Sequence, residues 1–413
     1  MAAELKARKD MDKRYMWDLT PIYGAKEDWE RAFEELQESI PEVGKYSGTM
    51  GTPEGARAAL DGFYDIVRRS MLICIYAELN KSGDNGDPEY QAMNERAAML
   101  MVQLAAAASY ITPELAALPI ETLQGYLSAP ELELYRHQIA DLIRGRRYVL
   151  SPEQEKMLSM LADAAQTPDN SFTMLESVDM TFPAITDEEG KEAQLTHGSF
   201  GVYRESGDRR VRREAFEKYF GEFKRYINTF AAMYGGSVKF DNYFADVRGH
   251  ENALSAALYG NDVPVAVYDS LIEAVHEALP AMGRYIALRK KALGLDELHM
   301  YDLYNPMVED AGMRFTFEEA KGIVKQALAP LGEEYGRLLD MAFNEGWIDV
   351  YENKGKTTGA FACGVYGVHP YVLLNFAGGL DDVFTLAHEL GHAMHSYKSD
   401  HAQAFANHGY SIM

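Results

Sequence analysis

The run "LAHELGHAMHSY" contains His388-Glu389-x-x-His392, two imidazoles four residues apart with a carboxylate next to the first. On a helix, residues four apart stand on one face, so both rings can reach a single ion through nitrogens at roughly 2.0 to 2.1 Å. Glu389 lies one step round the helix, off that line, where it can take a proton from a metal-bound water rather than occupy a coordination position. Zinc suits such a set because it polarises a carbonyl and lowers the pKa of bound water to around 7 without redox chemistry. Hydrolysis of an amide bond needs both effects.

Catalytic zinc takes three protein ligands plus water. The metzincin arrangement requires a glycine at position 395 and a histidine at position 398, but the sequence has His395 and Lys398 there. No glutamate follows Glu389, so the downstream donors are His395, Asp400, His401 and His408. His395 shares the helix face but sits about 7.5 Å along the axis from the midpoint of the pair, which suits a supporting or packing role. Asp400, His401 and His408 can reach the ion only by a loop folding back.

The elements that must position these residues read clearly. Asp381 or Asp382 can cap a helix start, with Val383, Phe384, Leu386, Ala387 and Leu390 supplying apolar packing and Gly391 permitting close backbone approach. Upstream, "HPYVLLNF" reads as a strand and "AGGLDD" as the turn between them; "MYDLY" and "WIDVYE" are the other β-rich runs. Elsewhere helical periodicity dominates. Ser151 with Gln154, and Thr316 with Glu319, form reciprocal capping pairs, and Pro152, Pro53, Pro113 and Pro264 each stand where a helix can begin. The segment "AAMLMVQLAAAASYI" reads as a buried helix, too short and Ala-rich to cross a bilayer. The expectation is a mainly α protein with a small sheet beside the motif helix. Between about 165 and 200 the helical period lapses, and three segments are expected: 1–115 and 116–195, both helical, and 196–413 carrying the motif.

Other motifs do not compete. "GKT" at 355–357 lacks the first glycine of a phosphate loop, since position 350 is Val350, and "GGSVK" has Lys239 where a nucleophile elbow needs glycine. His137, His197, His250, His276, His299 and His369 are scattered and read as surface or structural residues.

A net charge of −23 over 413 residues argues against nucleic-acid or anionic-membrane partners, which require clustered Lys and Arg. The start "MAAELKARKDMDKRYMWDL" has interspersed charges and no apolar core, unlike a signal peptide. Two distant cysteines, Cys74 and Cys363, fit free thiols in a reducing, cytoplasmic setting.

With "PYVLLNFAGGLDDVFTLAHELGHAMHSY" and "WDLTPIY" in view, the chain resembles oligoendopeptidase F, of the zinc oligopeptidase family that includes thimet oligopeptidase and neurolysin. The resemblance runs from about residue 12 to the end. It implies a neurolysin-like, mostly helical zincin architecture, with zinc at the bottom of a channel that admits short peptides. It also implies His388 and His392 as zinc ligands, Glu389 as general base, and a glutamate on the following helix as third ligand. That glutamate, and later Tyr and His residues that steady the oxyanion, have no counterpart here, so the C-terminal part is expected to be missing and the third ligand to lie beyond residue 413. The expected function is zinc-dependent hydrolysis of internal bonds of short peptides, with "HPYVLLNF" as a candidate edge strand aligning the substrate by β-addition. The alternatives are a truncated, catalytically incomplete fragment binding peptide or metal weakly, and a purely structural helical protein. Oligomeric state is left open.

Overall fold

Local capping chemistry sets the helix starts. In the computed structural model, which describes residues 6–410 apart from 152, 153, 155, 156, 159, 160, 162, 163 and 309–313, Thr52 accepts the Gly55 amide at the head of Pro53–Gly83, and Asp87 accepts the Glu89 amide at the head of Pro88–Ala108. The Thr316–Glu319 pair closes reciprocally ahead of Phe317–Ala327, with amide contacts of 3.2 and 2.8 Å. Ser151 and Gln154 exchange the same two bonds, while Pro152 lies outside the described residues. Pro264 caps Val265–Ala292 rather than opening it, and the helix Ile111–Ala117 starts two residues before Pro113, where a missing amide costs nothing. The chain is mainly helical with a small sheet beside the motif helix, as expected, and a second, two-stranded sheet that was not expected.

Contacts divide the chain into two compact units, Met1–Arg146 with Gly312–Ile412, and Arg147–Ala311. This division differs from three consecutive segments because the first residues pair with the region before the motif. The Asp18 amide donates to the Gly346 carbonyl at 2.7 Å and the Val350 amide to the Tyr15 carbonyl at 2.9 Å. Beside them the buried Asp349 carboxylate accepts Arg8 Nη1 and Lys356 Nζ, each at 2.8 Å. Lys356, the lysine of "GKT", is therefore a structural counter-ion; burial lowers its pKa while Asp349 opposes that effect.

In the first unit a three-stranded sheet runs in the order Ile348–Asp349, Tyr371–Leu373, Phe361–Cys363, the first pair parallel and the second antiparallel. "HPYVLLNF" therefore supplies the central strand, and the expectation that it is an edge is corrected. Its fully buried residues Tyr371, Val372 and Leu373 account for this, since a strand apolar on both faces is stable only when covered on both. Leu386, Leu390 and Ala393 of the motif helix have no exposed surface and pack with Val372, Leu374 and Trp347. Each buried leucine contributes roughly 2 kcal/mol from apolar area alone. Pro88–Ala108 is half-buried instead of buried: Met93, Ala97, Leu100 and Leu104 face the core, but Met99 and Val102 are exposed.

The second unit is organised round Asp302. Its buried carboxylate accepts Arg209 Nε and Arg212 Nη2, both at 3.0 Å, and the His299 amide at 3.0 Å. The Asp302 amide donates to the His299 carbonyl at 2.9 Å and closes Met300–Asp302 as a 3-10 turn, so "MYDLY" is not a strand. The stretch 165–200 holds the helix Thr167–Met174 and a ribbon pairing Ile185–Thr186 with Glu192–Ala193. Among the described residues no helix is long and apolar enough to cross a membrane.

Candidate metal centre

The motif helix spans Leu380–Ala402. Neither Asp381 nor Asp382 is its N-cap. Gly379 holds that position, and the Asp382 carboxylate reaches back to accept the Gly379 amide at 2.7 Å and the Ala377 amide at 3.3 Å. Gly378, at φ +89°, makes the preceding turn, and a Cβ there would meet the Phe315 carbonyl oxygen at 2.8 Å.

Helical periodicity divides the roles of the side chains. Val383, Leu386, Leu390, Ala393 and Met394 face the sheet and core, while His388, His392 and His395 share the outward face. Phe384 belongs to this outward set at 66% exposure, so it does not pack in the core as expected. Gly391 also faces open space and permits no close approach.

His388 Nε2 and His392 Nε2 lie 3.2 Å apart with their rings at 81°. Two nitrogens each 2.0 to 2.1 Å from a tetrahedral zinc must stand about 3.3 Å apart, so the pair fits two positions of one ion. Glu389 is buried, and among the described residues its carboxylate has no hydrogen-bond donor. A carboxylate free of protein donors, one residue along the helix from His388, is available to a water.

The remaining donors are engaged elsewhere. Asp400 Oδ1 lies 2.7 Å from His408 Nδ1, and His401 Nδ1 lies 2.7 Å from the Tyr397 carbonyl. His395 stacks on Tyr410, with centroids 4.1 Å apart. Among the described residues no three His, Cys, Asp or Glu side chains gather as a metal site. The other histidines show structural contacts: His369 stacks on Trp347, His250 on Tyr148 and His299 on Tyr301. Cys74 and Cys363 are free thiols.

Sequence reasoning missed two features. Tyr410 Oη comes within 3.4 Å of His392 Nδ1, a contact across 18 positions that no spacing rule announces. The sheet edge next to the motif helix is Phe361–Cys363, which has no strand on its other side among the described residues. The Val372 and Leu374 amides donate to Trp347 and Asp349, so Tyr371 and Leu373 direct their backbone groups to Cys363 and Phe361. Ala362 therefore turns its N–H and C=O to the free side. Gly364 was the recoverable signal: it ends this strand where Ser396 of the motif helix crosses it.

Residues 202–412 match the peptidase family M3 model, and residues 114–182 match the one described as oligopeptidase F. The chain is 40% identical to oligopeptidase PepF of Bacillus subtilis over all of its own length and 62% of that protein's. It is 34% identical to group B oligopeptidase PepB of Streptococcus agalactiae, covering 98% of this chain and 68% of the relative. Among solved structures, oligoendopeptidase-F from Enterococcus faecium superposes with TM-score 0.64 at 33% identity over 90% of this chain and 63% of its own. A Chlamydophila abortus structure gives TM-score 0.88 at 30% identity over 99% of this chain and 69% of its own. The chain thus spans just under two thirds of the Bacillus relative's length, and the sequence matches run over 98 to 100% of this chain in both relatives.

Proposed function

This chain belongs to peptidase family M3, and we propose that it is a cytoplasmic zinc-dependent oligopeptidase that cleaves internal bonds of short peptides. The observation that carries the proposal is the 3.2 Å separation of His388 Nε2 and His392 Nε2, with the buried Glu389 next to His388 in the chain.

A zinc ion, when bound, supplies a Lewis acid that polarises the scissile carbonyl and acidifies water. His388 and His392 would hold it through Nε2. The Glu389 carboxylate accepts a proton from the attacking water and then delivers it to the departing amine nitrogen, so one residue serves as base and acid in turn. Ala362, with its N–H and C=O at the free edge of Phe361–Cys363, can take an extended peptide as a further strand. Main-chain pairing is indifferent to side chains, which suits a peptidase acting on many sequences.

The test measures bound zinc and cleavage of a quenched-fluorescent oligopeptide. His388→Ala is expected to lose bound zinc, whereas Glu389→Gln keeps it and loses about 10²- to 10⁴-fold in kcat, the range of a general base. Unchanged cleavage in Glu389→Gln, or unchanged zinc in His388→Ala, would overturn the assignment.

A further inference from the structure

The chain that follows the motif helix turns back over it and is tied down at several points. Ser399 Oγ donates to the His408 carbonyl at 2.6 Å, His408 Nδ1 meets Asp400 Oδ1 at 2.7 Å, and Asn407 Nδ2 donates to the Leu134 carbonyl at 3.1 Å. Gln138 Nε2 adds a bond to the Ala406 carbonyl at 2.7 Å. These anchors bring the Tyr410 ring over His395, stacked at 4.1 Å with 22° between planes, and carry its Oη to 3.4 Å from His392 Nδ1. The stack orients the ring so that the hydroxyl lies toward His392.

An imidazole can bind an ion through Nε2 only if that nitrogen has its lone pair, which puts the ring proton on Nδ1. Histidine ligands are ordinarily held in this state by an acceptor at the far nitrogen, and loss of that acceptor costs 10- to 100-fold in metal affinity. Building on the reading of His392 as a ligand, we propose that Tyr410 is a positioning residue whose phenolic oxygen accepts the His392 Nδ1–H and leaves Nε2 unprotonated toward His388. The face of the motif helix is exposed, so water competes for Nδ1, and the effect belongs at the lower end of that range. His395 serves as the platform that holds Tyr410.

Tyr410→Phe removes the hydroxyl and keeps the stack. Two-bond ¹H–¹⁵N spectra of the metal-free chain report the His392 tautomer directly, and chelator competition reports zinc affinity. The wild-type chain is expected to hold His392 mainly as the Nδ1–H tautomer, with Tyr410→Phe shifting it toward Nε2–H and weakening zinc binding about tenfold. An unchanged tautomer ratio together with unchanged zinc affinity would overturn the role of Tyr410. His388→Ala separates the two claims: if it leaves zinc affinity intact, the ligand reading fails. If it weakens zinc binding while Tyr410→Phe alters neither readout, the positioning role alone fails. Should the wild-type chain bind no zinc, the tautomer spectra still decide whether Tyr410 orients the ring.

Discussion

Gly364 crosses Ser396 so closely that a Cβ on the glycine would stand 2.7 Å from the serine Cβ. The contact joins the end of the strand Phe361–Cys363 to the middle of the motif helix, one turn beyond His392. It sets the spacing between the free sheet edge and the histidine pair.

Gly364→Ala is therefore expected to push strand and helix apart. The clash falls on a Cβ rather than on the end of a flexible side chain, so relaxation needs backbone movement, at about 1 to 3 kcal/mol. Denaturant unfolding should show that loss, and the same substitution in a Ser396→Gly background should cost clearly less. Equal costs in the two backgrounds would mean that the contact does not set the spacing.

Asp302 gives the second unit a defined acid sensitivity. Burial pushes its pKa up, but hydrogen bonds from Arg209, the His299 amide and Arg212 outweigh burial and hold it at about 2. The unfolded carboxyl, with a pKa near 3.9, is protonated at pH values where the folded one is still ionised. Its contribution to stability is thus complete above pH of about 4 and is lost as pH falls toward 2, amounting to about 2 kcal/mol. Asp302→Asn removes this titration and leaves the other carboxylates in place. Urea midpoints measured between those pH values should fall more steeply for wild type than for the variant, and parallel slopes would refute the linkage.

The sequence was most legible where the physics is local. The Thr316–Glu319 box, the Ser151–Gln154 box and the shared face of His388 and His392 each depend on residues only three or four apart, and all are observed. What depended on distant partners was misread. "MYDLY" looks like a strand until Arg209 and Arg212 are brought to Asp302, and "HPYVLLNF" looks like an edge until residues 348 and 361 arrive on either side of it. The glycine signal was attached to the wrong residue for the same reason. Gly391 stands beside the histidines in sequence but meets nothing, while Gly364 meets the helix from 32 positions away. Likewise the first unit is discontinuous because Arg8 finds Asp349, a pairing that no window along the chain can contain.

The free edge of the sheet can be tested without touching the histidines. Phe361 and Cys363 spend their backbone groups on Leu373 and Tyr371, while those of Ala362 point away from the ladder. Proline is tolerated on a strand where the lost amide faces outward and is disruptive where it bonds inward. Ala362→Pro should therefore keep a near-native unfolding midpoint, whereas Phe361→Pro should not. If substrate aligns by adding to this edge, Ala362→Pro removes one main-chain donor and raises KM roughly tenfold, at the upper end of what one hydrogen bond contributes. Zinc content should stay unchanged, which distinguishes this effect from damage to the histidine pair. A folded, zinc-bearing Ala362→Pro chain with wild-type KM would show that peptides do not pair with this strand, and the alignment would then have to come from side chains alone.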